Sequence, residues 1–171
     1  KGYRSGQYDV LDRWPLTEYK WLQTNIPAEA RKYTGLRVVY IVLNMRKPPL
    51  NDKRVRMALA MAIDMQAIQK QVFFDQYGSA AFSLLPPGTA NADLSARVPW
   101  QNMSMDDRRK QAKDLLTQAG YGADHPLKLT YNYINSPDAK RQAVAMQAMW
   151  KQVGVTVELN AREFAIHYDG M

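Results

Sequence analysis

The segment running from Asn51 to Asp64 constrains the fold more than any other part of the chain. It reads Asn-Asp-Lys-Arg-Val-Arg-Met-Ala-Leu-Ala-Met-Ala-Ile-Asp, and it follows an apolar run, Arg37 to Met45, and a Pro48-Pro49 stop. Asn51 or Asp52 is suited to cap a helix, because a short polar side chain there can accept a backbone N–H of the first turn. Val55, Ala58, Leu59 and Ala62 then recur at i, i+3, i+4 and i+7, the stripe of a helix with one packed face. Asp64 is a second cap, restarting a helix through Ile68 and Val72. The pattern predicts a strand, a turn and helices over about 52–62 and 65–73.

Upstream, Gly6 to Asp9 reads as a turn, followed by a short strand-like Val10-Leu11, a helix from Thr17 through Leu22 and a short helical stretch after Pro27 that Gly35 ends. Arg37–Leu43 is the clearest strand: its β-branched and aromatic residues are nearly all apolar, which predicts burial on both faces within a mixed sheet. The stretch 76–103 carries Gly78, Pro86, Pro87, Gly88, Asn91 and Pro99 and is expected to be a long wrapping loop. Ser104 to Asp107 caps a helix that buries Ala112, Leu115, Leu116 and Ala119 and ends at Gly120.

The last third predicts a β-α-β unit. Leu127, Leu129, Tyr131 and Tyr133 alternate with polar residues; Asp138 is placed as a cap; Ala139, Ala143, Met146, Trp150 and Val153 share a helical face; and Val155, Val157 and Leu159 alternate again. A strand, helix and strand of this length pair in parallel. The fold class is α/β.

Composition narrows the function. The 171 residues include no cysteine, which removes disulfides, thiol chemistry and thiolate metal sites. Net charge is +7, but the basic residues are spread and interleaved with acidic ones, the pattern of a solvated surface and not of a nucleic-acid-binding tract. No apolar run approaches the roughly 20 residues of a membrane span, and the residues that follow Lys1 do not read as a secretory leader. His125 and His167 stand far apart, without a serine elbow, a paired carboxylate or a second histidine at i+4. Asp106-Asp107 suits the positive end of a helix dipole better than acid–base work. These features point away from an enzyme and from any cofactor.

Taken in order, the residue types resemble a known family. Leu43-Asn44-Met45-Arg46-Lys47-Pro48-Pro49-Leu50 leading into Asn51–Asp64 is similar to the signature of the oligopeptide- and dipeptide-binding proteins of ABC importers, the extracellular solute-binding proteins of family 5. Ser5-Gly6-Gln7-Tyr8-Asp9, Gly78 with Ala80-Ala81 and Pro86-Pro87-Gly88, Ala112–Tyr121, and Val153-Gly154-Val155-Thr156-Val157-Glu158-Leu159 are similar to further family segments in the same order. The resemblance implies a partial lobe of a periplasmic binding protein of type II, with a mixed sheet flanked by helices. Family members are several times longer, so the chain is expected to be a fragment: residues 1–40 ending a first lobe and its crossover strand, residues 41–171 an incomplete second lobe.

What the resemblance implies about function follows from the same register. The ligand would be an extended oligopeptide or another small solute held between two lobes, in the periplasm or another extracytoplasmic space. The permease subunits would be partners of the full-length protein, nucleic acid would not, and exposed sheet edges would favour self-association. Tyr40 matches a family tyrosine of the cleft, and Asp12, Arg13 and Trp14 fall where the family places cleft-wall residues. Lys140 and Arg141 lie near a family basic position for a ligand carboxylate, with a register that can slide to Ala139; Phe164 stands at a cleft tryptophan position. The family aspartate that meets a peptide's α-amino group would lie beyond Met171. The same fold fused to a cytoplasmic transcriptional regulator, sensing a solute, is the alternative implied.

Overall fold

Two parallel strands and the helix that joins them organise the chain. The computed structural model describes residues 2–12, 14–31, 36–76, 78–86 and 88–169. In chain order the elements are α1 (Tyr19–Asn25), α2 (Lys53–Met61), α3 (Met65–Ala67), α4 (Met105–Gln118), β1 (Leu127–Ile134), α5 (Pro137–Lys151), β2 (Val155–Arg162) and α6 (Phe164–Asp169). β1 and β2 pair in parallel, with Leu127 opposite Val155 and Ile134 opposite Arg162. Alternation sorts their faces: Leu127, Val155 and Val157 are buried, whereas Lys128, Thr130, Asn132, Thr156 and Glu158 are exposed.

The buried face is covered by Ala143, Met146 and Trp150 of α5, and beyond them by α2 and α4. Val55, Ala58, Leu59 and Ala62 are all buried, as their spacing predicts; each Val or Leu so enclosed contributes about 1.5–3 kcal/mol. Trp150 is the joint of this core. Its indole N–H donates to the Leu59 carbonyl at 3.0 Å, and its ring meets Tyr131 edge-on at 5.8 Å. Burial also holds the Tyr131 phenol above its ordinary pKa, because the phenolate would lose its hydration.

The helix ends follow the local chemistry. Asp52 caps α2, accepting the Arg54 N–H at 2.8 Å, and Asp64 caps α3, accepting the Ala67 N–H at 2.9 Å. The Arg54 guanidinium also bonds the Asp52 carboxylate and holds it below the usual carboxylate range. α4 begins at Ser104 and stops where Gly120, at φ +90°, lets the Gly120 and Tyr121 N–H groups turn back to Thr117 and Leu116. α3 runs directly into one wide π turn, Ile68–Val72.

Four expectations are corrected. Arg37–Leu43 has no regular structure and joins no ladder among the described residues, and Val39, Tyr40 and Val42 are exposed, with only Ile41 leaning on the core. β-propensity gives a segment its shape, but a strand exists only where a neighbour accepts its hydrogen bonds. Val10-Leu11 is likewise irregular and exposed. The stretch after Pro27 is a turn held by the Ile26 carbonyl, too short to pay the cost of a helix nucleus; Gly35 lies outside the described residues. Asp138 is not the cap of α5. Ser136 is, accepting the Ala139 N–H at 3.3 Å, because Pro137 occupies the first helical position and forces its predecessor to be extended.

Candidate ligand-binding edge

In a parallel sheet every strand finishes at the same edge, and the loops that follow gather their side chains there. After β1 come Asn135, the Ser136 cap and the first turn of α5, with Asp138, Lys140 and Arg141. After β2 come Glu163 and α6, which opens with Phe164. The two loops are tied together: the Asn135 N–H donates to the Arg162 carbonyl at 2.8 Å, and its side-chain amide donates to Glu163 Oε1 at 3.2 Å. Just inside the edge, Asn160 Nδ2 donates to Asn132 Oδ1 across the strands at 2.8 Å.

Lys140, Arg141 and Phe164 are thus brought to one edge. Lys140 projects into solvent with no salt-bridge partner among the described residues. Arg141 is half-buried and bonded to Asp138 one turn back on the same helix. Phe164 is 65% exposed and presents a large aromatic face to solvent. A basic pair beside the N-terminus of a long helix, with an aromatic face on the neighbouring loop, suits a carboxylate attached to an apolar or extended body.

The other predicted residues belong to the N-terminal segments and not to the loops that follow β1 and β2. Tyr40 is 70% exposed on the unpaired 36–44 segment, Asp12 is exposed, and Trp14 is half-buried ahead of the 3₁₀ turn Leu16–Glu18; Arg13 lies outside the described residues. That N-terminal region has its own ties, with Arg4 4.4 Å above the Trp21 ring and the Tyr3 hydroxyl bonded to Glu29.

Two groups went unnoticed in the sequence. Phe74 sits after the π turn with its ring 5.7 Å from the Arg141 guanidinium carbon. Arg108, read as part of a solvated basic run, is only 5% exposed and donates to the Ile63 carbonyl at 2.6 Å; burial lowers its pKa, with Asp64 opposing. It lines a hollow of about 240 Å³ with Asp64, Gln101 and Ser104. A shallower hollow of about 360 Å³, by Tyr121 and His125, lies at the start of β1. Neither is at the edge described above, which is an open wall and not an enclosed pocket. Among the described residues no three His, Cys, Asp or Glu converge on a metal position, and no helix is long and apolar enough to cross a membrane.

Residues 1–170 match the family model described as bacterial extracellular solute-binding proteins, family 5 Middle, and the chain belongs to that family, one of solute-binding proteins and not of enzymes. It is 34% identical over 170 residues to the periplasmic murein peptide-binding protein MppA of Escherichia coli, covering 99% of this chain and 31% of that one. It is 36% identical over 169 residues to the E. coli periplasmic oligopeptide-binding protein OppA, covering 98% and 31% respectively. The solved structure of the E. coli murein tripeptide-binding protein MppA superposes with a TM-score of 0.86 at 34% identity, over 99% of this chain and 33% of that one. The chain therefore spans about a third of the length of the relatives it matches.

Proposed function

We propose that this chain forms one wall of a cleft that holds an extended oligopeptide for an ABC importer outside the cytoplasm. The observation that carries this reading is the edge where β1 and β2 end, with Lys140, Arg141 and Phe164 presented together on loops tied by Asn135. Membership of the solute-binding family, and the peptide-binding names of the relatives in the E. coli periplasm, support the cargo and the compartment. In this reading the ligand's carboxylate meets the basic pair and Phe164 lies along its body. Asp12, Arg13, Trp14 and Tyr40 border the cleft from the N-terminal side, with residues 1–40 belonging to one lobe and 41–171 to the next. The permease subunits are the partners of the full-length protein.

The reading explains why the edge is open. A binding protein gains affinity by closing two walls over its ligand and excluding water, so one wall alone holds a peptide weakly. The test is calorimetric titration of the full-length protein and of this chain with short peptides. The full-length protein is expected to bind, and the isolated chain to show no heat of binding at the same concentrations. Micromolar binding by the chain alone contradicts the two-wall argument. Failure of the full-length protein to bind any peptide contradicts the proposed cargo.

A further inference from the structure

The π turn Ile68–Val72 is followed by two non-glycine residues in the left-handed region, Phe74 at φ +50° and Asp75 at φ +58°. A π turn is uncommon, and consecutive left-handed residues that carry side chains are costly, so the fold keeps them only where the surrounding structure holds them. Here the turn is fixed by its own hydrogen bonds. The Phe73 N–H donates to Ile68 O at 3.2 Å, the Asp75 N–H to Gln69 O at 3.1 Å and the Gln69 side-chain amide to Gly78 O at 2.7 Å. The outcome of this geometry is the position of one ring. Instead of joining Ile68 and Val72 in the core, Phe74 points outward, 40% exposed, with the Arg141 guanidinium carbon 5.7 Å from its centroid.

That distance is within the range at which a cation is attracted to an aromatic face. Arg141 is therefore held from two sides, by Asp138 within α5 and by Phe74 from a different element. An arginine free to swing loses rotamer entropy each time it engages a ligand; one already restrained loses less, and its planar fork keeps a fixed direction. Lys140, exposed on the same turn, has no such restraint from a ring or an acid among the described residues.

We infer that Phe74 is a positioning residue for Arg141, and that the pair makes the cleft selective for ligands ending in a free carboxylate over those whose terminus is neutral. This rests on the reading that Arg141 meets the ligand's carboxylate. Phe74 acts through Arg141, so its effect is confined to ligands whose charge Arg141 meets. Loss of the ring weakens binding of a free-acid peptide and leaves its C-terminally amidated twin unchanged, a split that a merely structural role does not produce.

The experiment uses the full-length protein, one peptide as free acid and as amide, and calorimetry on wild type, F74A, F74L, F74Y and R141A, with thermal melts to establish that each variant is folded. Wild type is expected to prefer the acid and R141A to lose that preference. F74A and F74L are expected to lower acid affinity about two- to fivefold without changing amide affinity, and F74Y to keep the wild-type preference. If wild type shows no preference, or R141A keeps it, the carboxylate reading of Arg141 fails and this inference with it. If R141A loses the preference while F74A and F74L keep it in full, the carboxylate reading stands and the role of Phe74 alone is overturned. The same holds if the Phe74 variants weaken acid and amide equally, since that is the signature of a structural role. Should F74A fail to fold, F74L and F74Y decide between these outcomes.

Discussion

Trp150 should be the side chain whose loss is felt most widely, and its two functions can be separated. The residue is 4% exposed, and it ties its own helix α5 to two other elements, β1 and α2. From α5 its ring meets Tyr131 of β1, while its indole N–H donates to Leu59 O, a carbonyl in the last turn of α2. The Leu59 carbonyl does not receive the helical bond from Ile63, whose N–H reaches Ala60 O instead, so the indole fills that place. Trp150→Phe keeps an aromatic ring in the core but removes the donor together with part of the indole's volume. The cost is then a lost hydrogen bond and a buried carbonyl left without its partner, about 1–3 kcal/mol. Trp150→Ala also opens a cavity at the centre of the core, and large aromatic-to-alanine changes cost about 3–5 kcal/mol. For a chain of this size each 1 kcal/mol lowers Tm by roughly 2–4 °C. Urea denaturation followed by far-ultraviolet circular dichroism measures both variants without relying on tryptophan fluorescence. The reasoning is refuted if the Phe variant is within about 0.5 kcal/mol of wild type, the range of ordinary surface changes, or if the Ala variant is no worse than the Phe variant.

Other consequences follow from the caps, the titrating groups and the turn at Gly120. Asp64→Ala should cost about 1 kcal/mol in urea melts and Asp64→Asn much less, because Asn can still accept the Ala67 N–H. The Asp52 carboxyl is held below its unfolded pKa by Arg54, so its contribution is present above the unfolded value and lost as pH falls through the folded one. Acid titration of Asp52→Asn should therefore show a shallower loss of stability than wild type in that window. Tyr131 has the opposite sign: its raised pKa gives a contribution fully present below the unfolded value, near 10, and lost as pH rises through the folded one. Tyr131→Phe should flatten the alkaline limb of the stability curve and leave the neutral region little changed. Gly120→Ala places a Cβ at φ +90° and should destabilise by about 1–2 kcal/mol in thermal melts, although there is open space around the position.

Legibility in the sequence followed how local the deciding interaction was. The α2 stripe, the Gly120 turn and the β-α-β unit are written in spacing, capping and alternation, and each is found where those patterns put it. Arg37–Leu43 was misread for the same reason: its composition reports a shape, while pairing depends on neighbours that spacing does not reveal. Asp138 was misplaced as a cap because Pro137 is at home in the first helical position, which leaves the cap to Ser136. Of the candidate binding residues, Lys140, Arg141 and Phe164 come from the family resemblance and not from spacing; the structure places them just after the two β strands, and their role in binding is the proposal made above. Phe74 was not legible, since its position depends on a π turn and two left-handed residues that leave no periodic trace. Arg108 was hidden in a basic run, and only the packing of α4 against α2 distinguishes it from Arg109 and Lys110.

The most direct test of the central claim is to find where a bound peptide's terminus lies. A peptide carrying a photoreactive group beside its C-terminal carboxylate should be cross-linked to the full-length protein, and the adducts mapped by mass spectrometry. Adducts concentrated on the first turn of α5 and on Phe164, and suppressed by excess unlabelled peptide, are the predicted result. Competable adducts confined to other surfaces, such as the hollow beside Arg108 or the start of β1, would contradict the assignment of this edge as the ligand-binding wall.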